Sequence, residues 1–286
     1  MAMKYRLVAL DLDGTLLDSR LRIGRETVEV LQQVRSLGVQ TVIATGRHHV
    51  AAYPYWHQLG FDTPAICCNG AYLYDYRQRR ALMGSPLTRE EAEALLKLVR
   101  EYRIFSMVYV EHFMAYEGMH ARLDYILKWS AQLPPELRPR IERVDSFEKL
   151  VEEAGSIWKI AAISEDRAAL DVFMQAVERQ LGLTCDRSGD FLLDITHSGN
   201  SKGNRLGEWI AEQGILPDEV IAIGDQHNDL SMLRLAGLGV AMGNGEKAVH
   251  ACADWVTGSN DEGGVVDALR RFVLTPHPHP DKMCDF

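Results

Sequence analysis

The residues in this sequence best placed to do chemistry are two carboxylates set two positions apart. Asp11 and Asp13 follow the apolar run Leu7-Val8-Ala9-Leu10 and lead straight into Gly14 and Thr15. A carboxylate resists burial without a partner, so two of them at the end of a buried strand ask for a cation. A second acidic group, Asp225 with Asn228 and Asp229, ends another apolar run that closes on Gly224. Thr45 and Gly46 end a third run, and they offer a hydroxyl and a closely approachable backbone N–H to a phosphate oxygen. Lys202 stands at the predicted start of a helix, where the macrodipole disfavours a cation unless an anion offsets it. Hard oxygen ligands of this kind suit Mg2+, which takes phosphate as a partner. A metal, a cationic clamp and a positioned nucleophile together are what phosphoryl transfer requires.

These residues fall at the ends of apolar segments that alternate with helical ones. Residues 7–10, 39–44, 64–68, 192–196, 219–224 and 239–243 read as buried strands of a parallel sheet. Residues 25–37 read as a helix, with Val28, Leu31, Val34 and Leu37 at helical spacing and Gly38 as its stop. Tyr72, Tyr74 and Tyr76 alternate as a half-exposed strand would. In an open α/β sheet, ligands bind beyond the carboxyl ends of the strands, which would bring all four loops to one edge.

From about residue 85 the pattern changes. Residues 88–100 read as a helix opened by the capping box of Thr88 and Glu91. A hairpin over 106–117 follows, then helices near 146–153 and 166–181 and strands at 156–163 and 183–186. The fold class expected is therefore α/β, a doubly wound Rossmann-like parallel sheet core with an inserted α+β cap domain. The core is assigned to 1–84 and 188–275, the cap to 85–187, and the end, with Pro276-His277-Pro278-His279-Pro280, to a flexible tail over 276–286.

Composition narrows the function. A chain of 286 residues, 47% of them hydrophobic, can build about two domains. Its formal net charge of -9 disfavours sequence-independent nucleic-acid binding and docking on an anionic membrane. The first residues run directly into a strand with no leader-like or membrane-spanning segment, which points to the cytoplasm. Five cysteines, Cys67, Cys68, Cys185, Cys252 and Cys284, fit no zinc spacing and read as reduced thiols. The partner expected is a small phosphorylated metabolite, with no nucleic acid or membrane, acting on a monomer or weak homodimer.

In order and spacing, Asp11-Leu12-Asp13-Gly14-Thr15, Thr45-Gly46-Arg47, Lys202 and Gly224-Asp225 with Asn228-Asp229 resemble the four motifs of the haloacid dehalogenase (HAD) superfamily. The insertion between the second and third motifs resembles the type-2 cap of the Cof-type phosphatases. The strings Thr45 to Ala51, Thr63 to Gly70, Tyr72 to Tyr76, Gly199 to Gly203 and Gly239 to Asn244 are similar to those of bacterial pyridoxal phosphate phosphatases of this group.

The resemblance implies Mg2+-dependent hydrolysis through an aspartyl phosphate, with pyridoxal 5′-phosphate as substrate. The alternatives are a broad-specificity sugar phosphate phosphatase, a phosphotransferase and a non-catalytic phosphometabolite-binding protein. Asp11 is then the nucleophile and Asp13 the acid/base, its side chain free for proton traffic. Lys202 is the clamp, Thr45, Gly46, Lys202 and Asn228 the phosphate holders, and Asp11, Asp13 (through its backbone carbonyl) and Asp225 the metal ligands. Asp229 orients Lys202 or metal-bound water, and Arg47 is a structural ion-pair partner. His48 and His49 stay outside the reacting group. Tyr109, Tyr116, Trp129 and Trp158 are aromatics of the inserted domain that could face a flat ring, though a core role is the expectation for each.

Overall fold

A computed structural model describes residues 4–189 and 191–275. The tail expected over 276–286 lies outside the described residues. Strands are numbered along the chain. The core is a five-stranded sheet of β1 (Leu7–Leu10), β2 (Gln40–Ile43), β12 (Val220–Gly224), β13 (Leu238–Ala241) and β14 (Trp255–Val256). Its order is β14-β13-β12-β1-β2, and every pairing is parallel. The strand segments alternate so that each face finds its own helices. Val8, Leu10, Ile43, Ile221 and Ile223 pack against the helices Arg25–Ser36 and Gly264–Leu269. Leu7, Ala9, Val42, Val220 and Ala222 pack against Lys202–Glu212 and Leu230–Leu235. Both faces of the sheet are thus covered, which is why its strands read as unbroken apolar runs.

The chain leaves this layer through β3 (Ala65–Cys67), which pairs with the segment after β2 at the isolated bridge Ala44 to Ile66. It forms a separate antiparallel sheet with β4 (Tyr72–Asp75) and β5 (Arg80–Gly84). The tyrosines of β4 are not half-exposed as expected. Tyr72 is fully buried against Trp158 of the inserted domain, and Tyr74 stacks on His49. Leu73 between them is buried in the other apolar cluster, with Ala44 and Ile66, so the strand is covered on both faces and no water-facing side remains.

The insertion contains a six-stranded sheet: β6 (Phe105–Val110), β7 (Met114–Tyr116), β8 (Ile141–Arg143), β9 (Ile157–Ile163), β10 (Thr184–Arg187) and β11 (Leu192–Thr196). Its order is β10-β11-β9-β6-β7-β8, antiparallel except for β7 with β8. The expectation that the α/β core resumes with the strand at 192–196 is corrected, because that strand pairs with β9 and β10 in the inserted sheet. A buried strand looks the same locally whether its neighbours are parallel or antiparallel. The helices Arg89–Tyr102, Phe147–Glu153 and Arg167–Leu181 cover one face of this sheet, over Val108, Val110, Ile160 and Ile195. The capping box of Thr88 and Glu91 opens the first of them as expected. The opposite face, with Met107, Tyr109, Trp158 and Ala161, merges with the apolar core beneath the site. A helix at Ala121–Gln132 and strand β8 carried no recognised sequence signal.

No described helix is long and apolar enough to cross a membrane. The four described cysteines carry free thiols.

Candidate active site

Adjacent parallel strands deliver the two acidic loops to one point. β1 and β12 are paired in register, Leu10 opposite Ile223, and the Asp11 N–H donates to the Ile223 carbonyl at 3.1 Å. Asp11 and Asp225 therefore emerge side by side. Carboxylate oxygens of Asp11, Asp225 and Asp229 lie within 4.8 Å of one another, and all three residues are buried. Gly14, in the turn after β1, leaves the room that Asp225 occupies. Its φ is +82°, and a Cβ there would stand 2.2 Å from Asp225 Oδ2.

Lys202, the first residue of its helix, is completely buried and reaches into this cluster. Its Nζ donates to Asp11 Oδ1 at 2.6 Å and to Asp229 Oδ1 at 2.7 Å. Burial alone would discharge a lysine, but the two carboxylates outweigh it and keep the ammonium protonated. The other oxygen of Asp229 accepts the backbone N–H groups of Asp225 and Gln226 at 2.9 and 3.0 Å. Both Asp229 oxygens are thus engaged in orienting Lys202 and the loop.

One ammonium does not balance three carboxylates. Burial raises the Asp11 carboxyl to about 7, with Lys202 opposing the rise and Asp229 adding to it. Burial and the charges of Asp11 and Asp229 push Asp225 up to about 9. Carboxylates this reluctant to ionise are short of a cation, and their oxygen donor set fits Mg2+. The side chains of Asp11 and Asp225 could hold it. Asp13 can contribute only its backbone carbonyl, because its carboxylate is turned to Arg47.

That turn corrects one expectation, since the Asp13 side chain is not free. Arg47 grips it with two bonds, Nε to Oδ2 at 2.7 Å and Nη2 to Oδ1 at 2.6 Å. Burial would raise the Asp13 carboxyl, but Arg47 holds it below the ordinary carboxylate range. Arg47 lies against the stacked pair of Tyr55 and Trp129, 5.0 and 5.1 Å from their ring centroids. Trp129 Nε1 in turn donates to the Tyr55 hydroxyl at 3.1 Å. The inserted domain therefore closes directly over the Asp13–Arg47 pair.

The loop after β2 brings Thr45 and Gly46 to the same edge. Thr45 Oγ1 accepts the Arg47 N–H at 3.0 Å, which leaves its own O–H to donate. Asn228 joins them through Asn69, to whose Oδ1 its amide donates at 3.0 Å, while Asn228 Oδ1 is buried without a hydrogen-bond partner. Asn69 has a left-handed φ of +56°, a conformation asparagine tolerates better than most residues.

Above these groups opens a cavity of about 310 Å³. Its floor carries Asp11, Asp13, Gly46 and Asn228, and its walls include Tyr109, Trp129, Tyr125, Arg122, Lys159 and Asp194. Of the four aromatics considered from sequence, Tyr109 and Trp129 face the cavity, whereas Trp158 packs on Tyr72 and Tyr116 is not on its wall. His48 also lines it, but burial holds its imidazole down at about 3 and its Nε2–H donates to the Val110 carbonyl at 2.8 Å. It is a structural group. Lys159, Asp194 and Asn69 were missed as site residues. The available signal was a lysine and an aspartate inside otherwise apolar strands, where such residues are rarely buried unless paired.

Comparison with known proteins gives the family and the fold. A family profile described as haloacid dehalogenase-like hydrolase matches residues 8–269. The pyridoxal phosphate phosphatase YbhA of Escherichia coli is 41% identical over 273 residues, covering 96% of this chain and 99% of that protein. A haloacid dehalogenase-like hydrolase from B. subtilis superposes with a TM-score of 0.83 at 27% identity, over 94% of this chain and all of the other. A sugar phosphatase of HAD subclass IIB superposes with a TM-score of 0.80 at 26% identity, over 94% and 100% of the two chains.

Proposed function

The chain belongs to the haloacid dehalogenase-like hydrolase family and is a phosphatase, and from that premise we propose that it hydrolyses a small phosphorylated metabolite, with pyridoxal 5′-phosphate as its best substrate. Asp11 is the nucleophile of this reading. Lys202 pins Asp11 Oδ1 and presents the carboxylate to the cavity floor. An Asp11 oxygen forms a bond to phosphorus as the ester P–O bond breaks, and the leaving alkoxide takes a proton from Asp13. Water then attacks phosphorus, the Asp11 O–P bond breaks to release phosphate and restore the Asp11 carboxylate, and Asp13 accepts the water's proton. In this structure the grip of Arg47 holds Asp13 ionised, so the acid step requires Asp13 to part from Arg47 and take up a proton from solvent before the alkoxide leaves. Thr45 Oγ1–H, the Gly46 N–H and the Asn228 amide hold the phosphate oxygens, and Lys202 offsets charge on the transferring group. The carboxylates of Asp11 and Asp225 and the backbone carbonyl of Asp13 would hold Mg2+, which would supply charge screening between Asp11 and an anionic substrate.

The observation that carries this reading is the three-carboxylate, one-lysine cluster, which meets through Asp11 the floor of a cavity walled by Tyr109 and Trp129. The walls suit a flat ring. A broad sugar phosphate phosphatase is the second reading, favoured by Arg122 and the Tyr125 hydroxyl on the same wall, which offer polar contacts to a polyol. A panel of phosphorylated metabolites, assayed with and without Mg2+, tests both. Pyridoxal 5′-phosphate should be turned over with the highest kcat/KM, and only with the metal. A panel in which hexose phosphates win rejects the ring preference, and metal-independent turnover rejects the proposed role of Mg2+.

A further inference from the structure

A buried ion pair in the inserted domain takes no part in the mechanism above. Lys159 and Asp194 are 2% and 1% exposed, and Lys159 Nζ lies 2.8 Å from Asp194 Oδ1. Removing two charges from water costs more than a single contact returns unless further hydrogen bonds use them. Here the further bonds lead into the core. Lys159 Nζ donates to the Gly46 carbonyl at 2.8 Å. Asp194 Oδ2 accepts from Asn69 Nδ2 at 3.1 Å and from Ser188 Oγ at 2.7 Å. Asn69 then accepts from Asn228 and, through its backbone N–H, donates to the Thr45 carbonyl at 3.1 Å.

The sheet is built to aim the pair this way. Along β6 and β9, Tyr109 pairs with Lys159 but Val110 pairs with Ile157, so Trp158 is the extra residue of a bulge. A bulge re-aims neighbouring side chains. In this one Trp158 joins the core-side cluster while the next residue, Lys159, reaches Gly46. Asp194 lies opposite Ala161, itself a member of that core-side cluster. Gly46 leaves the room that the arrangement needs, since a Cβ there would stand 2.9 Å from Asn69 Oδ1 and 3.3 Å from Asp194 Oδ2.

We infer that Lys159 and Asp194 are positioning residues for the phosphate-binding groups of the core, Lys159 acting on the Gly46 peptide and Asp194 acting on Asn228 through Asn69. The inference deepens the phosphatase reading and rests on it for the identity of the anion held. It makes the phosphate cradle complete only when the inserted domain is seated, so that domain sets phosphate affinity as well as walling the leaving-group cavity.

The test compares Lys159→Met, Asp194→Leu and the double variant with the unaltered protein. Three quantities are measured: affinity for inorganic phosphate by calorimetry in Mg2+, kcat and KM on a small aryl phosphate, and the melting temperature. Each single variant strands a buried charge and should melt lower. The double variant removes the pair together and should recover stability. Its phosphate affinity and kcat/KM should nevertheless stay about 10–100-fold down, as expected when a group orienting a ligand contact is lost. A double variant that binds phosphate and turns over within about twofold of the unaltered protein, where tenfold corresponds to 1.4 kcal/mol, overturns the inference and leaves the pair a packing element. Calorimetry needs no turnover. If the unaltered protein binds phosphate yet hydrolyses nothing, the phosphatase reading fails, while the same binding data still decide the positioning role.

Discussion

Replacing Asp225 with asparagine should make the metal-free protein more stable while abolishing its activity. The reason is crowding of like charge in a buried place. Oxygens of Asp11, Asp225 and Asp229 approach within 4.8 Å of one another, and the one ammonium present is bonded to Asp11 and Asp229. At such a separation, each pair of carboxylates repels by about 3.5 kcal/mol at an effective dielectric constant of about 20. An ionised Asp225 would meet two such repulsions and one attraction of similar size, to Lys202. At neutral pH the folded protein escapes them only by taking up a proton on Asp225, which itself costs stability, so asparagine should recover up to about 3 kcal/mol. Asparagine is nearly isosteric, and its carbonyl can still accept the Thr15 hydroxyl, now 3.2 Å from Asp225 Oδ1. In a domain of this size, that gain corresponds to a melting temperature about 5–10 °C higher. The assay is thermal unfolding in EDTA and again in millimolar Mg2+. In EDTA the variant should melt above the unaltered protein. In Mg2+ the unaltered protein should gain stability by ligand linkage and the variant should gain little. A variant melting at or below the unaltered protein in EDTA would refute the reasoning, because the protein's own groups would then already balance the cluster and no cation would be needed.

Asp11→Asn should keep its circular dichroism spectrum and lose phosphatase activity altogether, and undiminished turnover removes Asp11 from the nucleophile role. Gly14→Ala should lower kcat/KM by about 100-fold or more, because the new Cβ must displace Asp225 and misplacement of about 1 Å carries that cost; activity close to normal would show that the turn can relax. His48 should make the protein acid-sensitive. Its imidazole stays neutral down to about 3 when folded, whereas an unfolded chain takes up a proton near pH 6.5. Its contribution is therefore complete above pH 6.5 and is lost as pH falls, by about 1.4 kcal/mol per pH unit. Melting temperatures between pH 7 and 5 should fall less steeply in His48→Asn, and parallel slopes would contradict the assignment.

Much of the site was legible because each of its signals is contiguous. An apolar run, then a glycine and a carboxylate or hydroxyl, marks Asp11, Thr45 and Asp225, and a parallel sheet needs no further information to gather such loops. Lys202 was legible for a different reason, as a cation at a helix start that only an anion could justify. The grip of Arg47 on Asp13 was half legible. Its partnership was expected, but its consequence, an occupied Asp13 side chain, depends on two chain segments meeting in space.

The inserted domain was harder to read because its roles are defined by what lies opposite. Strand β11 has the composition of a core strand, and nothing within its five residues says that its neighbours are antiparallel. The helix Ala121–Gln132 turns part of its apolar side, with Ile126 and Trp129, toward a cavity, and only Leu123 and Ser130 are fully buried, so its pattern is weak. Lys159 is the instructive case. It sits in Ile157–Ile163, a strand buried at every position, where a lone lysine has no local excuse. A charge in such a place implies a partner and a use, and both were in the sequence as Asp194, the one carboxylate in another buried strand. Pairing the two requires knowing that both strands belong to one sheet. It is the same knowledge that shows the phosphate loop to be held from above.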